Sequence, residues 1–143
     1  MILAFDKAQQ RFLDRNRVAH LATSSAKSEP HVVPVCYAFQ DQYIVTPIDD
    51  KPKKVEATNL KRVRNIRQND QISFLVDEYS EDWTRLAYLL VQGRAEIITN
   101  GPFLQESILL LRRRYEQYQT MALEDHLMLR IIPERVVSWG KVE

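Results

Sequence analysis

Three glycines in 143 residues, Gly93, Gly101 and Gly140, are too few and too far apart for any site that needs clustered glycine. A dinucleotide fingerprint, a Walker loop and a nucleophile elbow each use neighbouring glycines, because backbone must approach a phosphate or turn sharply there. None of the three can be built from this chain. What remains is a succession of short patterned segments. Phe5, Ala8, Phe12 and Leu13 recur at helical spacing and predict an amphipathic helix ending near Asn16. Residues 18–23, 31–39 and 43–48 are then rich in β-branched and aromatic side chains, and predict three antiparallel strands. Pro34 and Pro47 fall inside the second and third of these, so each marks a bulge or an edge position.

Leu60, Val63 and Ile66 form the buried stripe of a second helix, and residues 72–76 and 86–98 resume the strand pattern on either side of an acidic loop. Asn100, Gly101 and Pro102 read as a helix start, followed by one packed face of Leu104, Ile108, Leu111, Tyr115 and Tyr118. A last strand over 127–132 and 135–139 is interrupted by Pro133. Six strands, two or three helices and no βαβ alternation predict a closed or nearly closed antiparallel barrel with helices outside. No repeat or linker divides the chain, so residues 1–143 are expected to form a single domain.

Twenty basic and nineteen acidic side chains leave a net charge of +1, so any basic function must be local. Cys36 is the only cysteine, which removes an intrachain disulfide, a CxxC pair and a thiolate zinc site. The longest apolar run, 86–91, is far short of a membrane span, and Asp6 and Lys7 stand where a signal peptide would be apolar. The expectation is a reduced, cytoplasmic, soluble protein without membrane or nucleic-acid partners.

The sharpest local feature is the segment from Lys51 to Arg67. It carries Lys51, Lys53, Lys54, Lys61, Arg62, Arg64 and Arg67 against Glu56 alone. Charge clustering by itself is compatible with a solvated helix face. Its place around a helix start also suits an anion site, where N–H groups and cations converge on a phosphate. No aromatic residue is interleaved with these cations, which argues against stacking on nucleic-acid bases. Arg112, Arg113 and Arg114 read as a second solvated face, and the 77–82 loop as hydrated. Trp83 either covers a bound ring or packs in an interface. His20, His31 and His126 lack ligand-spaced partners, and Cys36 between Val35 and Tyr37 reads as a small buried hydrophobe. No catalytic triad, carboxylate pair or metal constellation is present.

The text Pro30-His31-Val32-Val33-Pro34-Val35, then Thr46 followed by Asp50-Lys51-Pro52-Lys53, then Leu60-Lys61-Arg62-Val63-Arg64-Asn65-Ile66 carries a resemblance. Leu75-Val76-Asp77-Glu78-Tyr79 with Asp82-Trp83, and Ile132-Pro133-Glu134-Arg135-Val136-Val137 with Trp139-Gly140, extend it over nearly the whole chain. In this order the motifs resemble the FMN-binding split barrels related to pyridoxamine 5'-phosphate oxidase, and most closely a subgroup described as deazaflavin-dependent. The resemblance implies a mainly β fold with flanking helices, a six-stranded antiparallel Greek-key split β-barrel.

It also implies a cofactor, FMN or the deazaflavin coenzyme F-420, bound between the subunits of a homodimer. Pro34, Val35 and Thr46 would lie beside its ring, Lys51, Lys53, Lys54, Lys61 and Arg62 at its phosphate, and Trp139 against the ring. The implied activity is hydride transfer to or from a small organic substrate. Such chemistry belongs to the cofactor and obliges no catalytic acid or base. Two departures matter. The chain lacks the arginine and histidine ending with which the true oxidase grips pyridoxamine phosphate, so that activity is not expected. Its lysine-rich insertion around Pro52 exceeds what one phosphate needs and would suit an oligoglutamyl deazaflavin tail. The alternative is a non-catalytic flavin- or haem-binding split barrel.

Overall fold

The structure, a computed structural model, describes residues 5–48 and 60–142. Helix α1 (Lys7–Arg15) begins with a capping box, in which Asp6 accepts from the Gln9 amide at 2.8 Å and Gln9 Oε1 accepts from the Asp6 amide at 3.0 Å. It buries Phe12 and Leu13 completely. Strands β1 (Ala19–Ser24), β2 (Pro30–Val35), β3 (Ala38–Gln40) and β4 (Tyr43–Pro47) follow. Helix α2 (Lys61–Gln68), β5 (Gln71–Glu78), β6 (Ala87–Ile98), α3 (Pro102–Arg114) and β7 (Met128–Gly140) complete the order.

All strands lie in one antiparallel sheet, ordered β2-β1-β5-β6-β7-β4-β3. Its edge strands, β2 and β3, are separated in the chain by Cys36 and Tyr37 alone. A link that short spans about 11 Å at most, so the sheet must curl until its edges meet at one corner. The result is a half-barrel of the expected split-barrel type. Phe12, Leu21, Phe74, Leu89 and Ile131 belong to its main core. A second cluster lies under α3, where Leu104, Ile108 and Leu111 pack with Tyr115 and Tyr118 against Ala38, Val45 and Met128.

Among the described residues, seven strands replace the expected six because the 31–39 run breaks at Tyr37. That ring turns into the core, its hydroxyl donating to the Leu13 carbonyl at 2.6 Å with the Asn16 carbonyl at 2.9 Å. Its backbone N–H goes to the Tyr115 hydroxyl at 3.1 Å instead of to a ladder. Burial pushes the Tyr37 phenol above its ordinary pKa.

Pro34 and Pro47 sit in regular register, so neither is at a bulge. Pro34 is on the edge strand, and Pro47 pairs with Met128 while β3 reaches only as far as Val45. The bulge lies instead on β7, where Gln92 opposes Arg135 and Gly93 opposes Pro133, leaving Glu134 extra. Strand β7 therefore runs through Pro133 rather than being interrupted by it.

The arginine run is also not a solvated face. Arg112 forms a two-pronged pair with Glu124, both contacts at 2.8 Å, and donates to the carbonyls of Tyr118 and Met121. That pairing holds the Glu124 carboxyl down to about 2. Arg114 reaches back to α1, and only Arg113 is exposed. Among the described residues, no helix is long and apolar enough to cross a membrane.

Candidate functional site

Helix α2 has eight residues and is capped by no side chain at Leu60. Val63 and Ile66 supply its buried stripe, and Asn65 is buried with them. The Asn65 amide donates from Nδ2 to Thr23 Oγ1 at 3.0 Å, which ties the helix to β1. Residues one turn apart share a helix face, so Arg62 stands on the flank of Asn65 and Ile66. Arg62 is accordingly half-buried, whereas Arg64 and Arg67 point into solvent. The basic segment thus divides, part solvated face and part directed at the sheet.

Directly across the β1–β2 ladder from Thr23 is His31. Its Nδ1 is inaccessible to solvent and has no hydrogen-bond partner. Burial lowers the His31 pKa below its ordinary value, and the positive charges of Lys61 and Arg62 lower it further. One corner of the sheet therefore gathers Lys61, Arg62 and a neutral imidazole. An open groove of about 550 Å³ runs past Ala22, Ser73, Gln92 and Arg135 on the outward face of the sheet, and none of Lys61, Arg62 and His31 lines it.

The other anticipated residues are distributed as follows. Pro34 is exposed on the outward side of β2, and Val35 turns inward at 7% exposure. Thr46 is buried one residue beyond the Ala38–Val45 pair, at the corner where β2 passes into β3. Four residues of strand, about 13 Å, separate Val35 from His31. Trp139 is half exposed and stacks on Tyr88 with ring centroids 5.7 Å apart. Through Tyr88 and Asp77 it is level with the start of β1, whereas His31 faces Thr23 near the end of β1, so one chain does not bring it to the basic corner. Lys51, Lys53 and Lys54 fall outside the described residues.

Trp83 is the most exposed large apolar side chain among the described residues, in a single 3₁₀ turn capped by Asp82. His20 lies 3.9 Å from Asp77, and His126 Nδ1 is 2.7 Å from the Ala122 carbonyl. Cys36 is half-buried as a free thiol, and no group of residues suited to a metal ion occurs among the described residues. The Thr23–Asn65 link was invisible to sequence reasoning, because its partners are 42 residues apart.

A family model described as pyridoxamine 5'-phosphate oxidase matches residues 5–140. The chain belongs to the pyridoxamine 5'-phosphate oxidase family. A 5a,11a-dehydrotetracycline/5a,11a-dehydrooxytetracycline reductase of Streptomyces rimosus is 26% identical over 139 residues, covering 96% of this chain and 84% of that protein. Among solved structures, a conserved hypothetical protein of Mycobacterium tuberculosis superimposes with a TM-score of 0.78 at 21% identity, covering 98% of this chain and 87% of the other. The haem storage protein HutZ of Vibrio cholerae gives 0.73 at 15% identity, over 96% and 95% of the two chains. A FAD-binding protein of Mesorhizobium loti gives 0.67 at 24%, over 96% of both. These structural likenesses establish the split-barrel fold.

Proposed function

We propose that the protein is an oxidoreductase that holds a flavin or deazaflavin, FMN or coenzyme F-420, and transfers hydride to or from a small organic substrate. The observation that carries this reading is the convergence of Lys61, Arg62 and the unpartnered His31 nitrogen at one corner of the sheet. Two cations and an unpaired imidazole nitrogen fit an anionic group such as the cofactor phosphate. Membership of an oxidase family and similarity to a tetracycline-type reductase support redox chemistry in preference to storage. When bound, the flavin supplies the hydride chemistry. The chain's own task is to bind the phosphate and to line the ring with the β2 and β4 corner around Pro34, Val35 and Thr46. A planar, polycyclic acceptor, of the kind named for the Streptomyces relative, is the substrate class we favour.

Mass spectrometry of the small molecule that copurifies, followed by titration of the stripped protein with FMN and with F-420, tests the assignment. Arg62→Ala is expected to weaken whichever cofactor binds by tenfold to a hundredfold, the loss of one charge-assisted phosphate contact of about 1.5–3 kcal/mol. An unchanged dissociation constant would place the phosphate elsewhere. A haem Soret band in the purified protein, with no flavin or deazaflavin affinity, would favour the haem-binding alternative that resembles the Vibrio protein.

The reading also includes a homodimer, built on the outward side of the sheet. Cross-strand partners share a face, so Pro34, His20, Leu75, Leu90 and Val137 form one row across five strands. Val32, at 62% exposure, continues this apolar surface beside it. A second copy seated there is also what would bring a Trp139 toward the basic corner. Sedimentation equilibrium is expected to give a dimer, with an interface on the order of 2,000 Å² in total. A monomer at micromolar concentration would contradict it.

A further inference from the structure

His31 is the titratable group at the basic corner whose part in binding is not accounted for by the cofactor reading. A polar nitrogen buried without a partner calls for an explanation, since leaving it so is costly. No hydrogen bond holds His31 Nδ1, so nothing of that kind fixes its tautomer or its charge. Its protonation is left to burial and to neighbouring charge.

Among the described residues, the charges set against it are those of Lys61 and Arg62, both from α2. Strand β1 presents the uncharged Thr23, whose hydroxyl already accepts from Asn65. The β1–β2 turn carries Lys27 and Glu29, both exposed, and the Glu29 carboxylate accepts from Ser25 Oγ at 3.4 Å. The Asn65–Thr23 link ties the helix that bears the two cations to β1, next to His31.

We propose that His31 is a proton-linked element of the anion site: an anionic group held by Lys61 and Arg62 makes the His31 imidazole take up a proton from solvent and become a third cation beside it. The inference rests on the reading of this corner as an anion site and adds its pH dependence. The sign follows from the charges. Without the anion, burial and two cations hold the ring neutral at pH 7. A divalent anion offsets both cations and attracts the imidazolium, and opposite charge within about 4–6 Å raises a histidine pKa by roughly one unit or more. Between the two pKa values the complex carries one more proton than the free protein. Affinity therefore rises as pH falls through that window, by up to tenfold per pH unit, and levels off on either side of it.

Sulfate is the suitable probe, because a phosphate ester titrates near pH 6 and would confuse the reading. The three imidazoles are followed by ¹H–¹⁵N NMR from pH 5 to 9, in chloride and in sulfate at equal ionic strength, with His31 assigned through His31→Asn. The expected result is an upward move of the His31 midpoint by about one pH unit in sulfate while His20 and His126 stay put. His31→Asn is expected to bind sulfate with no pH dependence over this range.

Two results would overturn the proposal, and they differ. If sulfate perturbs the backbone amides of Lys61 and Arg62 while the His31 midpoint is unmoved, the anion site stands and the proton link is wrong. If sulfate perturbs neither amide at any concentration up to 0.1 M, the anion site itself fails, and the cofactor reading loses its physical basis at this corner. Should His31→Asn not fold, His20→Asn and His126→Asn assign the other two imidazoles, and the wild-type titration decides both cases.

Discussion

Gly93→Ala is expected to destabilise the protein by about 3 kcal/mol, a fall of roughly 10 °C in Tm for a chain of this size. A Cβ built on Gly93 would stand 2.0 Å from the Ile132 carbonyl oxygen and 3.1 Å from the Glu134 nitrogen. Those are backbone atoms at the β7 bulge, flanked on both sides by the twelve-residue β6 ladder. No flexible side chain can swing aside, so relief requires the bulge to open or the ladder to slip. A slip of one residue would turn the β7 side chains to the wrong face of the sheet. Gly101 provides the comparison. Its φ of +99° also disfavours alanine, yet nothing lies within 4 Å of its missing Cβ. Gly101→Ala is therefore expected to cost about 1 kcal/mol through backbone strain alone. Urea denaturation of the two variants checks this, and equal losses would show that the close approach at Gly93 relaxes freely.

Arg114→Ala is expected to cost a similar amount, about 3 kcal/mol, from a residue that charge patterning assigns to solvent. Its guanidinium donates to the Tyr37 carbonyl and the Asp14 carbonyl, each at 2.8 Å, to the Leu13 carbonyl at 3.0 Å, and to the carbonyl of Asn16. Three of these four acceptors end α1, where carbonyls have no partner further along the helix. The same group lies over the Tyr37 and Tyr115 rings, 4.9 and 5.4 Å from their centroids. Truncation removes four hydrogen bonds where the sheet edges meet, leaving the Leu13 and Asn16 carbonyls to the Tyr37 hydroxyl and the Tyr37 carbonyl to the Tyr115 hydroxyl. Arg114→Lys should recover little, because one ammonium cannot reproduce a planar fork aimed at several acceptors. Arg113→Ala, one residue earlier and exposed, should change stability by less than about 0.5 kcal/mol. Hydrogen exchange would show where the Arg114 effect acts, with the α1 amides expected to lose protection first. Comparable stability of the Arg113 and Arg114 variants would refute this account.

Much of the molecule follows from its local pattern. The helical spacing of Ala8 with Phe12 and Leu13, of Val63 with Ile66, and of Leu104, Ile108 and Leu111 determined which helix faces are buried. The order of the motifs from Pro30 to Gly140 was enough to point to the family. Basic residues around a helix start were enough to point to an anion. Each of these signals is written within a few residues of the chain, because periodicity reports which side chains leave water and a cap is satisfied by its near neighbours.

Tertiary structure alone decided the rest. Strand 31–39 divides because Tyr37 bonds to carbonyls of α1 and to a tyrosine 78 residues away. Arg112 and Arg114 leave the solvent because clusters of backbone carbonyls face them, and Arg113 stays exposed. His31 acquires its neighbours only when Asn65 finds Thr23 across the fold. A buried polar group must find a partner or bear the cost of lacking one, and in a closed sheet that partner lies wherever the curl delivers it. Composition and spacing do not record that choice.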